Sequence, residues 1–432
     1  MKSEKLSYKE AIQYLYGLQK YGIKFGLSKT ANLLKAFDNP HRRQKYIHIA
    51  GTNGKGSVAA MMESILLKSG LRVGFYSSPH LVRFTERFRI NGEEAPPEKV
   101  AAIAGELIKV IRPGPPPTFF EVITAMALIY FAREKVDICI MEVGMGGRLD
   151  ATNVIRPMVS VITNISLEHQ FFLGSRLLDI AKEKGGIIKQ GVDMVTAVTQ
   201  TPIIRLFESI CEKKKASIWR VGKDVRYRSK GSRFSYYGLN RNFKGLDLGL
   251  RGRFQARNAA LSLAAIELLE RKGYAISSRD IVEGLKDTRW PGRMHVVSQE
   301  PIIILDGAHN PKAIRELAHS IRGEFSYRRL ILVIGVMEDK DIDKILKGIL
   351  PMADYVIYTR PEYYRSASPE RLMEEGLRLE KKGTTVPKIC DALDMARKTA
   401  EPTDMILVSG SLFTVGEAMT YFDREKYRPD DI

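Results

Sequence analysis

The apolar run Tyr46–Ala50 breaks at Gly51-Thr-Asn-Gly-Lys-Gly-Ser57, and a helical pattern resumes from about Ser57 to Ser69. This order of strand, glycine loop, lysine and helix constrains the fold more than any other feature of the chain. Glycines let backbone N–H groups turn inward onto an anion, and the positive end of a helix adds to the attraction. Lys55 stands where a side chain reaches the outer phosphates of a nucleotide. The spacing departs from the usual phosphate loop: two residues rather than four separate Gly51 from Gly54, and Gly56 rather than a hydroxyl residue follows Lys55. A glycine turn without a ligand is the alternative, and the order of the parts weighs against it.

Such a unit belongs in a parallel sheet covered on both faces, and the chain alternates accordingly. Arg72–Ser77, Ile138–Val143 and Val159–Ile165 read as further strands, the last two β-branched enough for a sheet interior. Val122–Ala132, the longest uncharged apolar run, is too short to cross a bilayer and reads as a buried helix. Arg112-Pro-Gly-Pro-Pro-Pro117 reads as a rigid connector. Between Asp224 and Gly252 short alternating runs around Gly231, Gly238 and Gly245 mark a small antiparallel β-section. Helices follow at about Ala256–Lys272 and Ser278–Thr288, and Trp290-Pro-Gly-Arg293 breaks the pattern. Beyond it Ile302–Leu305, Leu330–Ile334, Tyr355–Tyr358 and Met405–Val408 alternate with helices. The expected fold class is α/β: a P-loop-type, mostly parallel sheet domain with a small antiparallel section over 1–294, and a smaller Rossmann-like domain over 295–432.

The 432 residues suffice for two such cores, and 44% hydrophobic with 27% charged residues is a globular composition. A net charge of +18 invites a nucleic-acid partner, yet 68 basic residues are interspersed with 50 acidic ones, and Lys213–Lys215 reads as a solvated helix face. Collection of anionic small molecules fits the charge better, as does a charge-rich surface of the thermophile kind. The opening residues lack the apolar stretch of a signal peptide. Three scattered cysteines, Cys139, Cys211 and Cys390, suggest no disulfide framework. The expectation is a cytoplasmic monomer with small-molecule partners and no nucleic-acid or membrane partner.

Ser78, Glu142 and His169 each follow or end a strand, at the edge where open α/β sheets build their sites. Two oxygen donors suit a hard cation, and a histidine is an unusual addition for magnesium. Taken singly, Glu142 reads as a buried ion-pair partner and His169 as a structural histidine.

Gly51–Ser57, Ser78-Pro-His-Leu81, Glu142–Asn153, Glu183–Lys189, Pro291-Gly-Arg293 and Asp306–Pro311, in that order, resemble the folylpolyglutamate synthase and dihydrofolate synthase family, the folate branch of the Mur ligase superfamily. The resemblance covers nearly the whole chain, and Glu142–Asn153 is its most specific stretch. It implies that Thr52, Asn53, Gly54, Lys55, Gly56 and Ser57 hold ATP phosphates, with Asn258, Arg293 and Asp306 as further nucleotide contacts. Ser78, Glu142 and His169 correspond to magnesium ligands. Lys184 matches a lysine that the family carbamylates, which then holds a second magnesium; unmodified, it reads as a helix-surface lysine paired with Glu183 or Glu168. His309 resembles a residue near the transferred phosphate, so the implied catalytic set is Lys55, Lys184 and His309. Thr118, Phe119, Phe120 and Glu121, with Leu149, Asp150 and Ala151, map onto the folate pocket. Phe119 and Phe120 read equally well as core, and Glu121 as a favourable charge at a helix start. Ser409-Gly-Ser-Leu412 resembles the glutamate-side loop and reads equally as a tight turn.

The resemblance implies a ligase that adds L-glutamate to reduced folate through an acyl phosphate. ATP is the co-substrate, with one or two magnesium ions and room for a monovalent cation. Some members also add the first glutamate to dihydropteroate. In the N-terminal loop Tyr21–Gly26, Lys24 stands where some bifunctional members carry an acid, which favours elongation. Ser166, Glu168 and Gly185 depart from the commonest family residues by small changes. A Mur-type ligase acting on another carboxylate, and a nucleotide-dependent binding protein without ligase activity, are the rival readings.

Overall fold

The computed structural model describes residues 6–22, 24–112, 114–231 and 233–431. Ile23 of the N-terminal loop and Pro113 of the proline connector lie outside the described residues. Eight strands form the first sheet: β1 (Tyr46–Ala50), β2 (Val73–Tyr76), β3 (Phe88–Ile90), β4 (Glu93–Glu94), β5 (Ile138–Glu142), β6 (Val159–Ile162), β7 (Asp193–Thr196) and β8 (Ile218–Arg220). Their spatial order is β4-β3-β2-β5-β1-β6-β7-β8, parallel except for β3 and β4. β1 therefore lies between β5 and β6, with Ile47 level with Ile140 on one side and Val159 on the other.

Strand periodicity assigns the two faces of this sheet. Ile47, Ile49, Ile138 and Ile140 point into a core with Met62, Ile65 and Leu261. Tyr46, Cys139 and Met141 point the opposite way, into a core with Ile12, Ile123 and Phe131. The first face is covered by helices Lys55–Lys68 and Gln255–Glu270, and the second by Phe119–Arg133 with Tyr8–Gly17 and Pro97–Val110 behind it. Each large aliphatic side chain removed from water here stabilises the fold by about 1.5–3 kcal/mol.

A three-stranded antiparallel sheet, β9 (Arg226–Lys230), β10 (Arg233–Tyr237) and β11 (Asn242–Asp247), lies over the outer side of helix Gln255–Glu270. That helix is thus apolar nearly all round, and its one buried acid is fully engaged. Glu267 accepts hydrogen bonds from the Tyr236 hydroxyl (2.8 Å) and from the backbone N–H groups of Leu239, Asn240 and Arg241 (2.7, 3.0 and 2.7 Å).

The second sheet comprises β12 (His295–Gln299), β13 (Ile302–Leu305), β14 (Leu330–Ile334), β15 (Tyr355–Tyr358), β16 (Thr384–Thr385) and β17 (Met405–Ser409). The order is β12-β13-β17-β14-β15-β16, with β12 antiparallel at the edge. Helices on both faces bury two separate apolar cores.

Differences from the expected elements follow from side-chain bonding. The helix after the phosphate loop starts at Lys55, two residues early, because the Val58 N–H already bonds the Gly54 carbonyl at 2.9 Å. The strand expected over Val159–Ile165 stops at Ile162, where Thr163 and Asn164 turn their side chains onto the phosphate loop. Val122–Ala132 lies within the buried helix Phe119–Arg133, and among the described residues no helix is long and apolar enough to cross a membrane. Lys213–Lys215 is exposed at the end of helix Thr201–Lys213.

Candidate active site

The carboxyl ends of β1, β2, β5 and β6 open on one edge of the first sheet and deliver Gly51–Ser57, Ser78, Glu142 and Thr163–His169 side by side. The loops after β1 and β6 are stitched together. Thr52 N–H donates to the Asn164 carbonyl (3.0 Å) and Asn53 N–H to the Asn164 side-chain oxygen (3.1 Å). The Asn53 carbonyl accepts from the Thr163 hydroxyl (2.6 Å) and the Asn164 amide (3.0 Å), and Ser166 N–H donates to the Thr52 hydroxyl (3.1 Å).

Two glycines of the loop are required by their surroundings. Gly54 has φ 86°, and a Cβ there would stand 2.7 Å from Asn258 Oδ1. A Cβ on Gly56 would stand 2.8 Å from Trp290 Nε1. Ser57 is buried and accepts from Gln255 Nε2 (3.3 Å), which in turn accepts at Oε1 from Asn258 Nδ2 (2.8 Å). Asn258 therefore lies against the loop from inside, with Oδ1 buried and without a partner.

Charged groups gather around Gly51. Its carbonyl accepts from Lys55 Nζ at 3.1 Å and from Lys184 Nζ at 3.0 Å. Lys55 also lies 3.9 Å from Glu142 Oε1, while Ser78 N–H donates to Glu142 Oε2 at 3.3 Å. Burial raises the Glu142 carboxyl above its ordinary value, against the pull of Lys55. Lys184 is only 3% exposed and pairs with Glu168 Oε1 at 2.7 Å. It is thus an interior lysine rather than a helix-surface one, and Glu183 pairs instead with Arg148. Burial lowers the Lys184 ammonium, and although burial opposes ionisation of Glu168, the charges of Lys184, Lys55 and His169 hold that carboxyl at about 2. Among the described residues no three His, Cys, Asp or Glu side chains form a ready-made metal cluster.

A cavity of about 550 Å³ lies between the two sheets' loops, lined by Glu168, His169, Phe171 and Phe172 on one side and by His309, Asn310, Asp339 and Lys340 on the other. Burial holds His169 and His309 at about 4, so both imidazoles are neutral near pH 7. His309 Nδ1 lies 2.8 Å from the Gly307 carbonyl, which only accepts, so Nδ1 carries the proton and Nε2 is an acceptor. Asp306 accepts from Met294 N–H (2.8 Å) and Ala308 N–H (2.9 Å), and burial raises its carboxyl. Arg293 donates to the Gly292 carbonyl at 3.3 Å.

The residues expected at the folate pocket lie at the start of helix Phe119–Arg133 and in the loop that follows Glu142. Thr118 and Glu121 make a capping box: Glu121 Oε2 accepts from Thr118 N–H (2.7 Å) and hydroxyl (2.8 Å), so Glu121 serves the helix start. Phe119 is half-buried and stacks on Tyr16 at 5.7 Å, and Phe120 is half-buried near Tyr76. Asp150 is buried and accepts from Thr152 N–H (3.0 Å) and Met145 N–H (2.9 Å). Ala151 is buried beside it, and the Leu149 carbonyl accepts from Gly26 N–H at 3.2 Å, which ties in the N-terminal loop. Lys24 is exposed, over the Tyr21 ring. Sequence reasoning missed Thr163, Asn164, Asn310, Arg87 and Lys340; Asn310 lies inside a quoted motif, Thr163 and Asn164 lie in a segment read as strand, and Arg87 and Lys340 carried no signal of their own.

Residues 49–266 match the Mur ligase middle domain, and residues 292–412 match the Mur ligase glutamate ligase domain. The chain is 36% identical to a probable bifunctional folylpolyglutamate synthase/dihydropteroate synthase of Haloferax volcanii, over 97% of this chain and 51% of that protein, so it spans about half of that relative's length. It is 31% identical to the dihydrofolate synthase/folylpolyglutamate synthase of Bacillus subtilis, over 95% of this chain and 98% of the other. The bifunctional folylpolyglutamate synthase/dihydrofolate synthase of Yersinia pestis, solved with AMPPNP and a manganese ion, superposes with a TM-score of 0.86 at 32% identity, covering 96% of this chain and 97% of that one.

Proposed function

The chain belongs to the folylpolyglutamate synthase and dihydrofolate synthase family, the folate branch of the Mur ligases, and we propose that it uses ATP to join L-glutamate to reduced folate, and to dihydropteroate as a first addition. The observation that carries this reading is a run of contacts. It leads from Glu142 and Lys55 through the Gly51 carbonyl to Lys184 and Glu168, and from Glu168 into the cavity shared with His309.

A carboxylate is a poor acyl donor because oxide would have to leave. Transfer of the γ-phosphoryl group of ATP onto it gives an acyl phosphate. The amine of glutamate then attacks the acyl carbon, the amide forms and inorganic phosphate leaves. In this reading the N–H groups of Thr52–Ser57 and the Lys55 ammonium hold the phosphates and offset charge as it spreads during transfer. Asn258, Arg293 and Asp306 complete the nucleotide site, Asn258 by bracing the loop from behind. His309 Nε2 would take the proton that the attacking ammonium sheds. Enclosure between residues 1–294 and 295–432 would keep water from the acyl phosphate.

Ser78, Glu142 and His169 fit a magnesium ion: a hydroxyl, a carboxylate only loosely opposed by Lys55, and an imidazole kept neutral by burial. The manganese ion in the Yersinia pestis structure supports a metal in such a site. Magnesium supplies positive charge against phosphate oxygens when bound. Carbamylated Lys184 would set a second anion beside Glu168, and these two residues would then hold a further cation. The flat end of the folate would lie along Phe119, Phe120 and Leu149–Ala151. A protein working on ATP, glutamate and folate belongs in the cytoplasm.

Phosphate release from ATP with magnesium and L-glutamate, run with tetrahydrofolate and with dihydropteroate, tests this reading. Release with both establishes the two additions, and release with tetrahydrofolate alone leaves elongation only. Release with neither, from folded protein that binds ATP, overturns the folate assignment.

A further inference from the structure

Three arginines lie on the segment that follows β2. Arg83 pairs with Glu94, and Arg89 pairs with Glu63 at 2.9 Å. Arg87, between them in sequence and only 7% exposed, has no carboxylate partner among the described residues. Its sequence neighbour Glu86 is already engaged by the backbone N–H groups of Leu81, Val82 and Arg83 (2.7, 2.9 and 2.8 Å).

What holds Arg87 fixes its direction. Nε–H donates to His80 Nδ1 at 2.8 Å, so the imidazole carries its proton on Nε2, which faces the Tyr16 hydroxyl at 3.4 Å. The guanidinium lies over the Phe119 ring at 5.4 Å and the Phe84 ring at 5.9 Å. Phe119 in turn stacks on Tyr16. Both terminal nitrogens make no hydrogen bond among the described residues, although a guanidinium has five N–H donors in a planar fork. Glu142 and Tyr363 lie within electrostatic reach of the group. A cation this deep normally has an anion, because removal from water is otherwise uncompensated. Aromatic faces and one neutral imidazole offset only part of that cost.

We infer that the Arg87 fork binds a substrate carboxylate at the junction of the folate wall and the reaction centre, either the carboxyl end of the folate or that of the incoming glutamate. The inference rests on the ligase reading above. Arg87 is stacked on Phe119, oriented by His80 and within electrostatic reach of Glu142. Such a site recognises the planar, two-oxygen end of an acid and is indifferent to the nucleotide. Its two parallel N–H groups also match a carboxylate in a way that a lysine ammonium cannot.

Arg87→Met and Arg87→Lys test this through separate KM values for tetrahydrofolate, L-glutamate and ATP, with melting temperature measured alongside. The expected result for Arg87→Met is a KM raised about tenfold or more for one carboxylate substrate, the scale of a lost charged hydrogen bond, with KM for ATP unchanged. Arg87→Lys should recover part of the loss. A rise confined to tetrahydrofolate identifies the folate carboxyl as the ligand, and one confined to glutamate identifies the amino acid. Unchanged KM values for both acids in either variant, or a fall in kcat and a rise in all three KM values together with the melting temperature dropping, would overturn the inference. Turnover by the unsubstituted enzyme separates this from failure of the ligase reading, since an enzyme inactive with both pterin substrates removes that reading and the inference with it.

Discussion

The side-chain amides of Asn53 and Asn310 hydrogen-bond each other in both directions, at 3.3 and 2.8 Å, and so join the phosphate loop of the first sheet to the helix start Asn310–Pro311 of the second. Asn310 does double duty, since its Oδ1 also caps helix Pro311–Glu324 by accepting from Ala313 N–H at 2.9 Å. Asn53→Ala should therefore lose only the bridge, with kcat lowered and domain stability little changed. Asn310→Ala should lose the cap as well, at a further cost of about 1 kcal/mol. Steady-state kinetics and urea unfolding of the two variants, side by side, check this; equal stability losses would contradict it.

Lys55→Ala should reduce phosphate release by about a hundredfold or more, the usual effect of removing one donor aimed at developing charge. Phosphate release with saturating ATP is the measurement. Activity near that of the unsubstituted enzyme would deny Lys55 its role.

Gly54→Ala forces a Cβ into the left-handed region and against Asn258 Oδ1. A backbone cost of about 1–2 kcal/mol is expected before the contact is counted. The variant should melt at a lower temperature, and ADP should raise its melting temperature less than it raises that of the parent. A normal ADP shift would show that the loop tolerates the side chain.

Lys184→Ala leaves Glu168 buried without its cation, which costs about 3–5 kcal/mol. Adding Glu168→Gln should return part of that stability without returning activity. A small carboxylate added to Lys184→Ala should restore some turnover if carbamylation operates, and none if the lysine serves only the ion pair. Chemical denaturation and phosphate release read the two effects separately.

His309 sits at about 4 in the folded protein and near 6.5 when unfolded. The unfolded chain then binds more protons between these values, so the stability due to neutral His309 is fully present above pH 6.5 and is lost as pH falls towards 4. Glu142 and Asp306, raised by burial, act in the opposite sense. The isolating measurement is thus the difference in unfolding free energy between the parent and His309→Gln, which should rise from pH 4 to pH 6.5 and then level off. A flat difference would mean that the imidazole is not held neutral.

The parts of this fold that were legible in the sequence are those whose own residues demand burial. β1, β5 and β6 are buried on both faces and mostly apolar, and their runs announce them. β4 (Glu93–Glu94) and β16 (Thr384–Thr385) are two residues each, with no pattern to read, and exist because a neighbouring edge pairs with them. The same division holds at the site. Glycine spacing marks the phosphate loop, since few sequences need Gly54 and Gly56 together. Arg87 left no trace, because what distinguishes it is a missing partner, and that is a property of space rather than of sequence. The interior position of Lys184 was hidden for a related reason: the acid that draws it inward, Glu168, comes from a separate loop.

The placement of β1 has a consequence for biosynthesis. Its two partners, β5 and β6, leave the ribosome long after it does, and no earlier strand pairs with it. During that interval an apolar strand waits with both edges open, the condition in which nascent chains are most prone to associate wrongly. The phosphate loop waits with it, because Thr163 and Asn164, which pin the loop's backbone, are made later still. On the proposed function, the phosphate loop gains its pinned shape only once Thr163, 110 residues after Asn53, has emerged.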